Sequence, residues 1–493
     1  MRKAYDVLII GAGVIGCAIA RELSRYRLRV AVVEKDLDVG LGTSSRNSGV
    51  LHAGFNYRPG TLQARLDVEG NALMSGLCRD LKVKIRRIGK LTVARDASEI
   101  GALEALREQG ETNGVPGLEI VDPRSMEKIQ PGIRGAAALW SPTSAIVCPY
   151  GLTTALADNA FRNGVHFHLG QEVVAIDRED PSPFQVSSRR GDRWEAKVLV
   201  NAAGLFADAV ASMAGVGTYR LYPCRGEYYI LDKRLGGSLS TLVYPAPRKN
   251  APGLGIHLTP TVDGNILIGP SAEYVDAPED YACTASVMAR LQAEGRGLFP
   301  KLSTADFIGN FAGIRPKRTS PDEGGNRDFV IEDRLDVRGF INLVGIESPG
   351  LTSAPAIAAM VRGMIGRHLD LEENPSFTAR REGLEGRFSE LPPEERADLI
   401  ASNGNYGEVI CRCEQITRQE IIDAIGNPIG ARTLVGIKYR SRAMMGRCQG
   451  GFCMPRIIRI LKEEFGYDPK DFLLRGTASP LFVGSLRDGR VDR

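Results

Sequence analysis

Cys411 and Cys413 form a C-x-C pair in EVICRCEQ, and Cys448 and Cys453 form a C-x4-C pair in GRCQGGFC. Four of the nine cysteines thus crowd into two short stretches, with 34 residues between the pairs. Four thiolates suit one iron–sulfur cluster. A structural zinc site is the alternative, although C-x-C with C-x4-C is an unusual spacing for it. The remaining cysteines (Cys17, Cys78, Cys148, Cys224, Cys283) show no paired spacing and read as free thiols of a reducing compartment. A second pattern able to do chemistry lies near the N-terminus. Gly11, Gly13 and Gly16 make G-x-G-x-x-G, and Glu34 follows 23 residues after Gly11. Gly11 permits a tight turn, Gly13 lets backbone approach a pyrophosphate, and Gly16 allows close helix–strand packing. Glu34 can accept hydrogen bonds from an adenosine ribose and would repel a 2′-phosphate. Together these residues describe a dinucleotide site. The glycines alone do not choose between FAD and NAD.

The elements that position these residues are legible in outline. YDVLIIGAGVIGCAIARELSRYRLRVAVVEKD reads as strand, glycine turn, helix, strand. Val7 to Ile10 is an uninterrupted apolar run, as a strand covered on both faces requires. TRQEIIDAIGN and MPRIIRILKEEFG read as helices, one between the cysteine pairs and one after them. GKLTVARD, GEYYILD and GNILIGP read as strands. FINLVGI reads as a strand, ESPG as a turn, and LTSAPAIAAMVRGMI as a helix with Thr352 or Ser353 near its start and Pro355 in its first turn. Residues 372–403 are polar, charged and proline-containing, as in a linker.

A chain of 493 residues, 43% hydrophobic and 25% charged, has the composition of a soluble protein of two or three domains. It contains no apolar run of about 18 or more residues, so no membrane span is expected. The basic start and short apolar run at the N-terminus belong to the glycine motif, and a cytoplasmic protein is expected. A net charge of +4 does not argue for nucleic acid. From Ala424 to Lys462 there are eight cations and no acid, which suits the negative charge of a thiolate cluster. Without aromatic interleaving or a nucleic-acid motif, no nucleic-acid partner is expected there.

The segment GLGTSSRNSGVLHAGFNY, residues 40–57, resembles the flavin-contacting segment of the D-amino-acid-oxidase-like, FAD-dependent oxidoreductases. It is most similar to the branch holding glycerol-3-phosphate dehydrogenases and L-2-hydroxyglutarate oxidases. NSGVLHAG followed by PGTLQARL is the most specific part. VLVNAAGLFAD (198–208), FAGIRPKRTS (311–320) and NLVGIESPGLTSAPAIA (342–358) resemble later segments of the same family, in the same order. The cysteine region resembles the bacterioferritin-associated-ferredoxin-like [2Fe–2S] module.

The resemblance implies a mixed α/β fold. A Rossmann-like FAD-binding domain (1–75, 150–218 and 311–370) would carry an inserted antiparallel-sheet substrate domain (76–149 and 219–310). A linker (371–403) would lead to a small helical [2Fe–2S] domain (404–493). It implies FAD contacts at Gly11, Gly13, Gly16, Glu34, Ser44, Ser45, Arg46, Asn47, Ser48, Val173, Ala203, Gly204, Gly345, Gly350, Leu351 and Thr352. His52 would be the base and Arg315 the anion anchor of the substrate. Arg225 and Lys317 would border the substrate, although Arg225 could equally form a structural ion pair. Arg318 reads as part of a solvated loop. Cys411, Cys413, Cys448 and Cys453 would ligate the cluster.

The expected activity is a dehydrogenase oxidising a small anionic secondary alcohol, with sn-glycerol 3-phosphate favoured by the cluster appendage and by GIRPK. NSGVLHAGFNY leans instead toward L-2-hydroxyglutarate. An amino-acid dehydrogenase and a non-enzymatic redox sensor are the further alternatives. Electrons would pass from FAD through the cluster to a second redox flavoprotein subunit or a quinone. The expected location is the cytoplasm, or the periphery of the inner membrane, and an oligomer is compatible with the sequence.

Overall fold

The computed structural model describes residues 3–179, 181–247, 255–299, 302–383, 386–431, 433–485 and 490–491. The strand Lys3–Ile10 pairs in parallel with Val30–Glu34 on one side and Arg193–Asn201 on the other. His166–Leu169 and Phe340–Val344 extend this parallel core outward. Antiparallel strands Val173–Asp177, Phe184–Ser188 and Val330–Asp333 complete eight strands. The apolar run of the first strand is explained by burial on both faces. Val7 and Ile9 join one core, under the helices Val14–Leu23, Pro149–Arg162 and Gly350–Ile365. Leu8 and Ile10 join the other, with Val210 and Ala211 of the helix Ala207–Met213.

The glycine turn is sterically required. Gly11 has φ +106°, and a Cβ there would lie 2.5 Å from the Ala202 carbonyl oxygen. At Gly16 a Cβ would lie 1.9 Å from the Gly11 oxygen. The helix after FINLVGI begins at Gly350, two residues before Thr352, so Pro355 falls in its second turn and not its first. There the proline removes the amide that would close on the Leu351 carbonyl.

A second sheet of nine strands stands over the first. Its long strand Tyr222–Leu231 pairs antiparallel with Phe307–Lys317, placing Cys224 opposite Arg315 and Gly226 opposite Gly313. Side chains alternate along a strand, so Cys224, Gly226, Tyr228, Gly313, Arg315 and Lys317 share one face. Arg225 therefore faces the other way.

The C-terminal unit has a core of its own, including Ile410, Ile421, Ile437, Ile457 and Ile460. Its helices are Arg418–Ile425, Leu434–Ser441 and Met454–Phe465. Thr417 and Glu420 form a capping box on the first, and Gly466 ends the last in the left-handed conformation. The segment before this unit is more than a polar tether. It contains the helix Pro393–Ser402, and Arg381 reaches Asp158 at 2.7 Å. Phe377 lies under the Arg25 guanidinium at 4.8 Å. Among the described residues no helix is long and apolar enough to cross a membrane.

Candidate active site and cysteine centre

A cavity of about 710 Å³ runs from Gly11 and Glu34 to Arg315 and His257, between the two large sheets. Its first end is built by the glycine turn. The helix Val14–Leu23 starts at Gly13 with no side-chain cap, which leaves backbone N–H groups for a phosphate. Ser44 accepts a hydrogen bond from the Val14 amide at 2.8 Å, fixing the neighbouring segment against the turn. Glu34 accepts from the Ala12 and Asp36 amides at 2.7 and 2.9 Å and faces the cavity. Burial, ahead of the nearby Asp36 carboxylate, pushes its pKa up to about 7. Arg46, Asn47, Ser48, Ala203, Gly204, Gly350 and Leu351 also line the cavity. The glycine cradle, the open helix terminus and the carboxylate together fit an adenine dinucleotide.

Not every expected contact lies on this wall. Val173 is packed in the core behind the parallel sheet. Ser45 is buried and turned to the Gly42 carbonyl. Gly345, with φ +72°, lies against the Arg318 side chain. Thr352 is fully buried and accepts the His52 backbone N–H at 2.9 Å. Gly16 sits beneath the turn and supports it from behind.

At the other end, Arg315 enters the cavity from the shared strand face. Its guanidinium donates to the Ser271 carbonyl at 3.2 Å from both terminal nitrogens and is hydrogen-bonded to Tyr228. Gly226 makes room for it, since a Cβ there would lie 2.7 Å from Nη2 of Arg315. Lys317 is differently placed. It donates to Asn326 and to the Gly325 carbonyl and pairs at 3.5 Å with buried Glu347, which offsets its charge. Arg225 is corrected as a substrate contact. Strand alternation turns it away from the cavity, where it is ion-paired with Glu227 at 3.1 Å and with Asp280. Arg318 donates to the Asp328 carbonyl at 2.7 Å and is half-buried against neighbouring backbone.

His52 is buried at the cavity wall. Its Nε2 lies 3.4 Å from Ser348 Oγ, which is 3.1 Å from the Tyr57 hydroxyl. Its Nδ1 has no hydrogen-bond partner among the described residues. Burial, then the charges of Lys90 and His257, hold its pKa well below the usual histidine value, so the imidazole is neutral at pH 7. Behind it lies a group that the sequence reading missed. Asp67 is fully buried near Thr352, the residue that accepts the His52 amide. Neither of its carboxylate oxygens has a hydrogen-bond partner among the described residues, and burial, opposed by the charge of Lys90, holds its pKa well above the usual carboxylate value. Lys90, also buried, lies over the rings of Phe55 and Tyr244 at 4.2 and 4.8 Å, and burial lowers its pKa to about 7. The lysine that opens the apolar strand Lys90–Ala94 hinted at this in the sequence.

The cysteines interleave across the sequence pairs. Cys411 is hydrogen-bonded to Cys453, and Cys413 to Cys448. The first pair is buried and the second exposed. The Met444 amide donates to both sulfurs of the buried pair, and the Gly450 and Phe452 amides to Cys448. Of the five non-glycine residues with positive φ among the described residues, four surround these cysteines: Gln415, Arg442, Met444 and Gln449. Such turns aim consecutive amides inward, as an anionic centre requires. Cys453 also stands at the N-terminus of the helix Met454–Phe465. Among the described residues no three His, Cys, Asp or Glu side chains converge into one closed metal group. Two thiolate pairs suit two irons, each held by two cysteines, better than one tetrahedral zinc.

Three arginines of the basic stretch fasten this unit to the body. Arg440 pairs with Asp38 at 2.7 Å. Arg442 reaches Asp263 at 2.6 Å, Glu414 at 2.9 Å and the Tyr150 hydroxyl at 2.9 Å. Arg447 pairs with Asp232 at 2.8 Å. Arg432 lies outside the described residues. Tyr150 stacks on Tyr439 with centroids 4.8 Å apart and donates to the Met445 sulfur at 3.2 Å. Tyr439 is also close to Arg46 of the cavity wall. Packed side chains thus join cavity and cysteines.

The family description "FAD dependent oxidoreductase" matches residues 6–364, and "BFD-like [2Fe-2S] binding domain" matches residues 409–463. The chain is 42% identical to the glycerol 3-phosphate dehydrogenase of Caloramator mitchellensis, over 94% of this chain and 95% of that protein. It is 32% identical to the mitochondrial L-2-hydroxyglutarate dehydrogenase of Caenorhabditis elegans, over 72% of this chain and 92% of that one. Among solved structures, the dithionite-reduced L-alpha-glycerophosphate oxidase of Mycoplasma pneumoniae with FAD bound superposes with a TM-score of 0.72. The identity there is 29%, covering 78% of this chain and 99% of that one.

Proposed function

The chain belongs to the FAD-dependent oxidoreductase family and carries a C-terminal [2Fe–2S]-binding domain, and from that premise we propose that it is a dehydrogenase of sn-glycerol 3-phosphate. The observation that carries this reading is the convergence of Arg315 and neutral His52 on one cavity beside the helix Gly350–Ile365. FAD supplies a two-electron acceptor and the cluster a one-electron carrier when bound.

The chain's own residues do the rest. Arg315, held by the Ser271 carbonyl and Tyr228, presents a guanidinium fork to the phosphate. His52 takes the proton of the alcohol being oxidised, on Nε2, the nitrogen that faces Ser348. Ser348 and Tyr57 form a hydroxyl chain that leads from that nitrogen along the wall. Glu347 offsets the charge of Lys317, which leaves Arg315 as the dominant anchor and sets the register of a small substrate. Thr352, by accepting the His52 amide, holds the His52 backbone against the start of the flavin-facing helix, with Asp67 buried nearby.

Anaerobic bleaching of the flavin tests the substrate. Among glycerol 3-phosphate, 2-hydroxy acids and amino acids, the first is expected to bleach fastest. A faster reaction with L-2-hydroxyglutarate would transfer the assignment to that alcohol, and no bleaching by any compound would leave a redox sensor. The relative named for glycerol 3-phosphate matches across the cysteine region as well, whereas the hydroxyglutarate relative covers 72% of the chain. Arg315→Ala is expected to lower kcat/KM by about 10²-fold or more while the flavin stays bound. Steady-state kinetics with the purified holoenzyme check this, and an unchanged kcat/KM would remove Arg315 from the site. The acceptor we propose is a partner outside this chain, either a second redox flavoprotein or a quinone. The enzyme is then cytoplasmic or peripheral at the inner membrane.

A further inference from the structure

Cys413 and Cys448 are exposed, whereas Cys411 and Cys453 are buried. The inner side of the C-terminal unit is closed by the ion pairs of Arg440, Arg442 and Arg447 with the body. The exposed sulfurs, Cys413 and Cys448, are open to a partner on the outer side. There Phe452, whose amide donates to Cys448, lies between two guanidiniums, Arg412 at 4.3 Å and Arg456 at 4.5 Å. Arg459, one turn further along the same helix, is exposed. Among the described residues none of these three arginines has a carboxylate partner, in contrast to Arg440, Arg442 and Arg447.

Unpaired cations beside an electron donor select the charge of what docks. Electron-transfer encounters bury little area and depend on charge steering, so complementarity decides the partner. A quinone would need an apolar slot instead. The apolar cavity within this unit, between Ala431 and Phe472, is only about 10 Å³.

We propose that the face formed by Arg412, Phe452, Arg456 and Arg459 around Cys413 and Cys448 is the docking surface for an acidic, one-electron-accepting protein. This rests on the reading that electrons leave through the cluster. Each encounter moves one electron: the reduced cluster returns to its oxidised state and the acceptor is reduced by one. Two encounters discharge one two-electron oxidation of substrate.

The test uses the holoenzyme reduced with dithionite, so that its outcome does not depend on the substrate. Labelled poly-L-glutamate serves as the acidic probe, read by fluorescence anisotropy. Ferricyanide and hexaammineruthenium(III) serve as acceptors of opposite charge. Arg456→Glu with Arg459→Glu is expected to weaken polyglutamate binding about tenfold or more at low ionic strength. The same pair should slow oxidation by ferricyanide and speed oxidation by the ruthenium complex. Arg412→Gln should act in the same direction with a smaller effect. Arg124→Glu with Lys128→Glu, on the helix Pro123–Ile129, should leave all three readouts unchanged. Cluster absorption and EPR confirm that each variant retains its iron. Polyglutamate binding that survives the reversal, or acceptor rates that ignore it, overturns the proposal. Rapid oxidation by a short-chain ubiquinone with the same indifference would assign the exit to a quinone.

Discussion

Substrate reduces the flavin about 10²- to 10⁴-fold more slowly in His52→Gln than in the wild type. Glutamine fills much of the imidazole volume and can still accept a hydrogen bond, but it cannot hold the alcohol proton at neutral pH. The loss should therefore fall on the reduction rate more than on substrate affinity. The acid side of the pH profile gives a second reading. Burial and the charges of Lys90 and His257 depress the His52 pKa in the folded protein. A base works in its deprotonated form, so lowering pH through 6.5 should not remove the wild-type rate, and the loss should come only well below that value. Anaerobic stopped-flow bleaching across pH measures both. A wild-type rate in His52→Gln would dismiss the residue as the base. An acid limb centred near 6.5 would mean that His52 is solvated in the reacting complex.

What was readable in advance divides by how far each property reaches along the chain. The glycine turn was legible because its demands are local: φ at Gly11 and the close approach at Gly16 are decided within a few residues. The cysteine spacing was legible for a related reason, since few centres ask for four thiolates in two tight pairs. Which cysteine meets which was not. The contacts run Cys411 to Cys453 and Cys413 to Cys448, across the sequence pairs.

Arg225 and Arg315 show the limit more sharply. Both are arginines in strand-like stretches with family counterparts. Only the pairing of Cys224 with Arg315 reveals that Arg225 points to the opposite face. Lys317 was expected to border the substrate, and nothing local showed that the fold would bring Glu347 to it from 30 residues away. The support behind His52 joins Asp67, Lys90 and Thr352 from three separate segments. One signal was available in hindsight. Asp67 lies among Ala64, Asn71 and Met74, the buried face of the helix Leu62–Asp80. A carboxylate on such a face calls for a partner.

Cys453→Ser is expected to lose iron and acid-labile sulfide almost completely while keeping FAD. Cys453 and Cys411 form the buried pair, where water cannot enter to replace a lost ligand as it could beside exposed Cys413 and Cys448. A serine oxygen is a harder and shorter ligand than a thiolate, and the Met444 amide that serves both buried sulfurs cannot follow it inward. The flavin cavity is lined by residues from Gly11 to Leu351, none in the cysteine region, so its occupancy should not change. Substrate should therefore still bleach the flavin at the wild-type rate, while delivery of electrons to a protein acceptor collapses. Iron and sulfide analysis, the EPR signal of the reduced cluster and anaerobic bleaching separate the two halves of the enzyme in one variant. Slowed bleaching would show that the cysteine unit shapes the substrate cavity as well, through the Tyr439–Tyr150 stack and the Arg442 ion pairs that join the two. Undiminished delivery would mean that electrons leave the flavin without passing the cysteines, and the cluster route would fall.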